Sequence, residues 1–176
     1  QGGADVSDDA GCDGPCPAPP GEVALGVGRV RGQRTGSGAW SFLGIPFAQP
    51  PTGELRWRAP RAVASLGDEP FVADAFGPPC PPRDLLGRYQ GQEDCLTLNV
   101  GAPDGFTERA DRPVLVFIHG GANIFGSASE TIDFSTTPTY DGQYIAGRRD
   151  AIVVTIQYRL GALGFLTLPE LSDESG

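Results

Sequence analysis

A short glycine-rich stretch holds the residues of this sequence that are best suited to chemistry. His119, Gly120, Gly121 and Ala122 directly follow five bulky apolar residues, Val114–Ile118. Backbone N–H groups can face a cavity only where no side chain blocks the approach, and glycine leaves that approach open. When they are held rigidly, such N–H groups stabilise the negative oxygen that develops as an ester carbonyl is attacked. The stretch therefore indicates an anion-binding loop, and a plain strand followed by a glycine turn is the structural alternative.

Two apolar segments must position this loop. Val114–Ile118 is a continuous apolar run, and Ala151–Tyr158 contains Ile152, Val153, Val154 and Ile156. Both segments are rich in β-branched residues, which is typical of strands buried on both faces of a parallel sheet. Between them, Asp141–Arg149 has the acidic start and basic end of a short helix. Strand, helix and strand in this order predict a parallel, right-handed crossover unit.

The chain before the loop predicts shorter elements. Val23–Gln33 favours two short antiparallel strands that turn at glycines, and Trp40–Ala48 is an apolar block ended by prolines. Residues 61–94 are loop-like, and Cys95–Val100 alternates with period two, as a strand does.

Composition limits the classes of partner. The chain has 176 residues, 39% of them hydrophobic, and a net charge of −9, which disfavours nucleic acid and anionic membrane surfaces. Apolar runs all fall short of the roughly 18 residues that a membrane span requires, so no membrane insertion is expected.

The first 22 residues predict a flexible, acidic leader rich in glycine and proline. Cys12 and Cys16 flank a Gly-Pro turn, which favours a small disulfide loop. A metal site is the alternative, because the chain also places three acidic side chains nearby: Asp8, Asp9 and Asp13. No second pair of ligands follows them, so we expect no metal.

The four cysteines and the absence of methionine bear on the compartment. An even number of cysteines favours an oxidising environment, and the missing initiator indicates that a signal peptide was removed or that the chain was shortened. We therefore expect a secreted, periplasmic or otherwise extracellular protein.

Four separated blocks, in register, resemble the N-terminal part of the type-B carboxylesterase family, which also includes the cholinesterases and neuroligin-like adhesion proteins. The blocks are Phe42–Ala48 with Pro50–Arg56, Glu93–Val100, His119–Ala122 and Tyr158–Leu166. The resemblance covers residues 23–172 and implies an α/β-hydrolase domain over 23–176. The implied fold class is α/β, with a mixed, mostly parallel central sheet that is incomplete without a second chain.

The resemblance also assigns roles to single residues. The oxyanion-hole donors would be Gly121 and Ala122, with Gly120 supporting the turn. Asn123 stands where the family often has an aromatic residue, so it is a candidate substrate contact. Cholinesterases carry a Trp in a cysteine-closed loop to bind choline. Here the only aromatic residue of that loop is Tyr89, which is a second candidate substrate contact, and the missing Trp favours a general ester hydrolase.

Structural roles follow from the same resemblance. Cys95 matches the family's disulfide cysteine, and Cys80 would be its partner. Arg56 and Glu93 match a buried ion pair, and Arg159 matches a second arginine whose acidic partner would lie outside this chain. These pairs would hold the first layers of the sheet and take no part in chemistry.

The sequence lacks the rest of a serine hydrolase. The Gly-x-Ser-x-Gly nucleophile motif of the family does not occur, and His119, the only histidine, is expected to support the loop. We therefore expect a cleaved chain, ending after Gly176, that binds the C-terminal fragment of the same precursor as a tightly associated second chain. That fragment would carry the Ser-Glu/Asp-His triad, and no cofactor would be required.

The sequence is compatible with three interpretations of what the chain does. The first is the N-terminal fragment of an esterase that acts on a small ester substrate and supplies its oxyanion hole. The second is a non-catalytic, neuroligin-like adhesion protein of the same fold. The third is a free-standing protein, against which the two strands of buried type argue, because they would leave an open apolar edge.

Overall fold

A computed structural model describes residues 19–81, 91–107, 111–130 and 139–170. Within these ranges the elements, in chain order, are β1 (Glu22–Leu25), β2 (Gly28–Arg31), β3 (Gln33–Arg34), β4 (Trp40–Pro46), a short 3-10 helix (Gly53–Leu55), β5 (Phe71–Val72), β6 (Thr97–Ala102), β7 (Val114–Ile118), α1 (Gln143–Arg149), β8 (Ile152–Ile156) and α2 (Gly161–Phe165). None of the helices in these ranges is long and apolar enough to cross a membrane.

The strands form two sheets. The smaller sheet has the order β1-β2-β5, and its β1–β2 hairpin is the antiparallel pair predicted for residues 23–33. Glu22 begins β1 at the last position of the predicted leader and accepts charged hydrogen bonds from Arg29 and Arg31. The rest of the predicted leader before residue 19 lies outside the described residues.

The larger sheet has the order β3-β4-β6-β8-β7 and carries the glycine-rich loop at its edge. It is mixed, as predicted, and in the described part only the β7–β8 pairing is parallel, whereas β3–β4, β4–β6 and β6–β8 are antiparallel. The strand predicted from Cys95 begins at Thr97.

The predicted strand–helix–strand unit is present as β7, α1 and β8, with β7 and β8 parallel. Helix α1 packs over β6, β8 and β4, and its Ala146 is fully buried. Close approach is possible because two glycines meet there: a Cβ on Gly101 would lie 2.9 Å from the carbonyl carbon of Gly142. The helix thus fixes β8 against the antiparallel strands.

The prediction that β7 is buried on both faces is wrong for this chain. All five of its side chains are exposed, from 36% at Phe117 to 61% at Val114. The physical reason is its position: β7 lies at the edge of the sheet and pairs with β8 alone among the described strands, and helix α1 packs over β4, β6 and β8, so the faces of β7 are left uncovered. Strand β8 is closer to the prediction, since Val153 and Thr155 are buried and its other side chains are half-buried.

Candidate active site

The glycine-rich loop begins where β7 ends. Strands β7 and β8 pair in parallel register from Val114 with Ile152 to Ile118 with Ile156, so the residues that follow them lie side by side. His119 follows β7, and Tyr158 lies two residues beyond β8. Their rings stack with centroids 4.4 Å apart and an angle of 24° between the planes. The sheet register therefore supports the loop on an aromatic side chain.

The backbone of the loop needs glycine at two positions. Gly121 has φ +119° and Gly126 has φ +106°, which L-residues with a side chain rarely adopt. A Cβ on Gly121 would collide with the carbonyl of Phe125, and a Cβ on Gly126 would collide with the carbonyl oxygen of Gly120. These two glycines are thus required by both conformation and space.

The two residues that follow Gly121 are also left-handed. Ala122 has φ +54° and Asn123 has φ +61°. Asparagine enters this region readily, whereas for alanine it costs about 1–2 kcal/mol. A strained residue of this kind persists only when the surrounding contacts determine it, and such residues concentrate at functional sites.

The contacts that determine the loop are made by its carbonyl groups. The His119 carbonyl accepts a 2.9 Å hydrogen bond from the Tyr158 hydroxyl. The Gly120 carbonyl accepts one of 2.9 Å from Nδ1 of His119, and the Gly121 carbonyl accepts those of the Ile124 and Phe125 N–H groups, at 2.9 and 3.1 Å. Farther along, the Asn123 carbonyl accepts a 2.7 Å bond from the N–H of Gly161.

The N–H groups of the three residues that follow His119 make no hydrogen bonds within the described part of the chain, in contrast to these carbonyls. Among the described residues, none accepts a hydrogen bond from the N–H of Gly120, Gly121 or Ala122. Gly120 and Ala122 are exposed and Gly121 is half-buried. The loop therefore presents free backbone donors, while the carbonyls of His119, Gly120 and Gly121 are already engaged.

His119 is a supporting residue in this arrangement. It is 2% exposed, and because a carbonyl oxygen only accepts, Nδ1 must carry the proton that bonds Gly120. Nε2 is buried without a partner among the described residues. Burial also raises the pKa of Tyr158, which keeps its hydroxyl protonated as a donor.

Sequence reasoning missed Gln157 and Tyr158 as supports of the loop. Gln157 is 1% exposed; its side-chain N–H donates to the Ser127 hydroxyl at 2.7 Å, and its side-chain oxygen accepts from Ala128 N–H at 3.2 Å. A glutamine and a tyrosine directly after a buried strand were the available signal, because polar groups at such positions must be hydrogen-bonded.

Of the two candidate substrate contacts, Asn123 and Tyr89, the structure describes Asn123. Asn123 is exposed at the mouth of the loop, next to the unused donors. Tyr89, Cys12 and Cys16 lie outside the described residues, so the disulfide loop and the metal alternative at the N-terminus remain predictions.

The disulfide implied by the family resemblance is present. Cys80 and Cys95 are joined, with their Cα atoms 5.0 Å apart, and both are fully buried. They form one core cluster with Ala48, Leu96 and Leu160. The bridge therefore joins Cys80 to the residue two positions before β6, and the cluster around it includes Leu160 from the segment that follows β8.

The Arg56–Glu93 pair is present with less burial than expected. Arg56 donates through Nε at 2.6 Å and through Nη2 at 2.7 Å to the two carboxylate oxygens, and this bonding raises the pKa of Arg56. The side chains are 39% and 28% exposed, however, so the pair is not a buried bridge in this chain.

Arg159 lacks an anionic partner among the described residues. Its Nη1 atom is buried without a hydrogen bond, and burial lowers its pKa. It lines a small pocket together with Arg56, Glu93 and Leu163. The expectation that its acidic partner lies outside this chain stays a prediction.

Solved structures identify the class of fold. A PNB esterase aligns with a TM-score of 0.73 and 38% identity, over 88% of this chain and 30% of that one. Aspergillus niger EstA aligns with a TM-score of 0.71 and 32% identity, over 88% and 29%. The sheet and crossover described above are therefore part of an α/β-hydrolase fold.

Sequence relatives narrow the class. The carboxylesterase family model matches residues 19–176. Para-nitrobenzyl esterase of Bacillus subtilis is 41% identical over 86% of this chain and 30% of its own length. Human carboxylesterase 3 is 40% identical over 83% of this chain and 27% of its own length. Gallus gallus acetylcholinesterase is 37% identical over 88% of this chain and 21% of its own length. The chain belongs to the carboxylesterase family, and it spans less than a third of these relatives.

Proposed function

We propose that this chain supplies the oxyanion hole of a serine carboxylic-ester hydrolase that acts on a small ester. The observation that carries the proposal is the set of unused N–H groups at Gly120, Gly121 and Ala122, in a loop where the carbonyls of His119, Gly120 and Gly121 are engaged. Donors fixed in advance cost no reorganisation when the charge develops, and loss of one such donor typically costs about 10²–10³ in rate.

The proposed reaction is acyl transfer in two steps. A serine oxygen attacks the ester carbonyl, and the resulting tetrahedral oxyanion accepts hydrogen bonds from the loop. Collapse expels the alcohol and leaves an acyl-enzyme, which water then hydrolyses. The chain's contribution is to bind the developing negative charge, and no metal or cofactor is needed for these steps.

The nucleophile must come from outside residues 1–176. The sequence has no Gly-x-Ser-x-Gly motif, and its only histidine is buried with Nδ1 committed to the Gly120 carbonyl. We place the Ser-Glu/Asp-His triad on a C-terminal segment of the same precursor that binds against β7. The exposed apolar side chains of β7 support this, because such a patch is typical of a surface that a partner covers.

The compartment belongs to the same proposal. Disulfides persist in oxidising environments, and the Cys80–Cys95 bridge is fully buried in the core. We therefore place the enzyme outside the reducing cytosol, as a secreted or periplasmic protein.

A fluorophosphonate reaction on the complete protein, containing this chain and the triad segment, tests the proposal. We expect one labelled serine outside residues 1–176, with the phosphoryl oxygen about 2.7–3.1 Å from the N atoms of Gly121 and Ala122. Alanine at the labelled serine is the control and should abolish labelling. Absence of labelling in the wild type would favour the neuroligin-like binding role, and amides turned away from the adduct would remove the loop's role.

A further inference from the structure

The contact between Tyr158 and His119 has a consequence for the donors of the loop. We propose that Tyr158 is a positioning residue for the proposed oxyanion hole: its hydroxyl holds the carbonyl of His119 and so fixes Gly120, which supports the turn, and its ring holds the imidazole of His119 and so orients the N–H group of the donor Gly121. This inference rests on the proposed function.

The planarity of the peptide group links each carbonyl of the loop to the N–H group of the next residue. In a trans peptide, the carbonyl of one residue and the N–H of the next lie in one plane and point in opposite directions. The described residues contain no cis peptide bond. Fixing the His119 carbonyl therefore fixes the Gly120 N–H, and fixing the Gly120 carbonyl fixes the Gly121 N–H.

Tyr158 acts on both of these peptide groups. Its hydroxyl donates directly to the His119 carbonyl at 2.9 Å. Its ring stacks on the imidazole, whose Nδ1 donates to the Gly120 carbonyl at 2.9 Å. The third peptide group, between Gly121 and Ala122, follows directly in the same loop, and its carbonyl accepts from the N–H groups of Ile124 and Phe125.

The backbone next to Tyr158 and the ring of Tyr158 are both held by neighbouring residues. Gln157 is buried and its N–H donates to the Thr97 carbonyl at 2.9 Å, which anchors the chain to β6 immediately before Tyr158. On the other side, the Phe165 ring of α2 meets the Tyr158 ring edge-on at 6.4 Å. A rigid tyrosine can transmit its geometry to the loop, whereas a mobile one could only fill space.

The alternative role for Tyr158 is packing alone. Packing requires the ring and not the hydroxyl, so replacing tyrosine by phenylalanine separates the two roles. Tyr158→Phe keeps the stacked ring and removes only the bond to the His119 carbonyl. Tyr144→Phe is the matched control, because Tyr144 is 61% exposed on α1 and lies outside the loop.

The test measures turnover in the complete protein, per active site titrated with a fluorophosphonate. For Tyr158→Phe we expect kcat to fall between about tenfold and about 100-fold, since small misplacements of aligned groups have effects of this size. KM should change by less than about twofold, because the lost interaction acts in the transition state. Binding of a trifluoromethyl ketone should weaken by the same factor as kcat/KM, and Tyr144→Phe should match the wild type.

A second measurement does not depend on activity. The amides of Ile124 and Phe125 are bonded within the loop, so hydrogen exchange at these positions reports its order. We expect faster exchange there in Tyr158→Phe and no change in Tyr144→Phe. If kcat per active site is unchanged in Tyr158→Phe, the role of Tyr158 is overturned. If the wild type has no turnover, unchanged exchange at the amides of Ile124 and Phe125 in this variant overturns it instead. A wild type that fails to react with the fluorophosphonate would overturn the proposed function instead.

Discussion

The hydroxyl of Tyr158 lies 2.9 Å from the carbonyl oxygen of His119, and the rings of the same two residues stack at 4.4 Å. One side chain therefore contacts both the backbone and the side chain of the residue that opens the loop. Because β7 and β8 are in parallel register, this double contact follows from the sheet itself. The conformation of the loop is thus held by a residue that follows the neighbouring strand, in addition to the hydrogen bonds within the loop.

Alanine at Gly126 should disturb the loop beyond the cost of its backbone conformation. A Cβ there would collide with the Gly120 carbonyl oxygen and lie 2.7 Å from Nδ1 of His119, at the hydrogen bond that joins them. We expect Gly126→Ala to lower the free energy of unfolding by more than the roughly 1–3 kcal/mol of backbone strain alone. Urea denaturation measures this. Gly38→Ala is the control, since Gly38 has φ +83° with open space around its Cβ; equal losses in the two variants would contradict the steric argument.

Asparagine should replace His119 better than glutamine does. The side-chain amide nitrogen of asparagine is as many bonds from Cα as Nδ1 of histidine, so it can donate to the Gly120 carbonyl. Glutamine places its amide one carbon farther out. We expect His119→Asn to retain a higher kcat/KM than His119→Gln by about tenfold, which corresponds to one hydrogen bond of about 1.5 kcal/mol. Steady-state kinetics on the complete protein measures the ratio, and a ratio near one would rule out this donor role.

The longer elements and the glycines of the loop were predictable, because periodicity and glycine placement are local properties, whereas the two-residue strand β5 and the short helix α2 were not predicted. The hairpin of β1 and β2, helix α1 and the parallel β7–β8 pair all lie where the sequence predicts them. The exposure of β7 was not predictable from its composition, since an apolar strand looks alike at the centre and at the edge of a sheet. Tyr158 was missed because stacking depends on the register of two strands that lie far apart in sequence.

Removal of the Cys80–Cys95 disulfide should destabilise the fold without touching the loop. The bridge closes a separation of 15 residues, for which the chain-entropy model gives about 3 kcal/mol. We expect the double variant Cys80→Ala, Cys95→Ala to lose about this amount of unfolding free energy in chemical denaturation. Because both cysteines lie in a core cluster with Leu96 and Leu160, alanine also removes packing. The reduced wild type is therefore the control, and a loss seen only in the variant would assign the effect to packing.

The hydroxyl of Tyr158 predicts a loss of stability at alkaline pH. Burial raises its pKa above the ordinary value of 10.0, so folding favours the protonated form. The resulting stabilisation is fully present below pH 10 and is lost as the pH rises through the pKa of the folded state. We expect the difference in unfolding free energy between the wild type and Tyr158→Phe to be constant from pH 7 to 9 and to shrink above pH 10. A difference that grows with pH in that range would contradict the sign of the shift.

A charge on β7 should prevent association with the triad segment. Val116 lies in the middle of the strand and is 55% exposed in this chain, yet the proposed second segment would cover it. An isolated carboxylate that becomes buried costs several kcal/mol, so Val116→Asp should lower the yield of assembled, fluorophosphonate-reactive protein severely. Val72→Asp is the matched control, because Val72 is 56% exposed on the short strand β5 of the other sheet. For this variant we expect the free energy of unfolding to change by no more than about 0.5 kcal/mol and the yield of assembled protein to stay near that of the wild type. Co-purification of the two segments and titration of active sites measure both effects. Equal yields from the two variants would show that β7 remains uncovered in the complete protein.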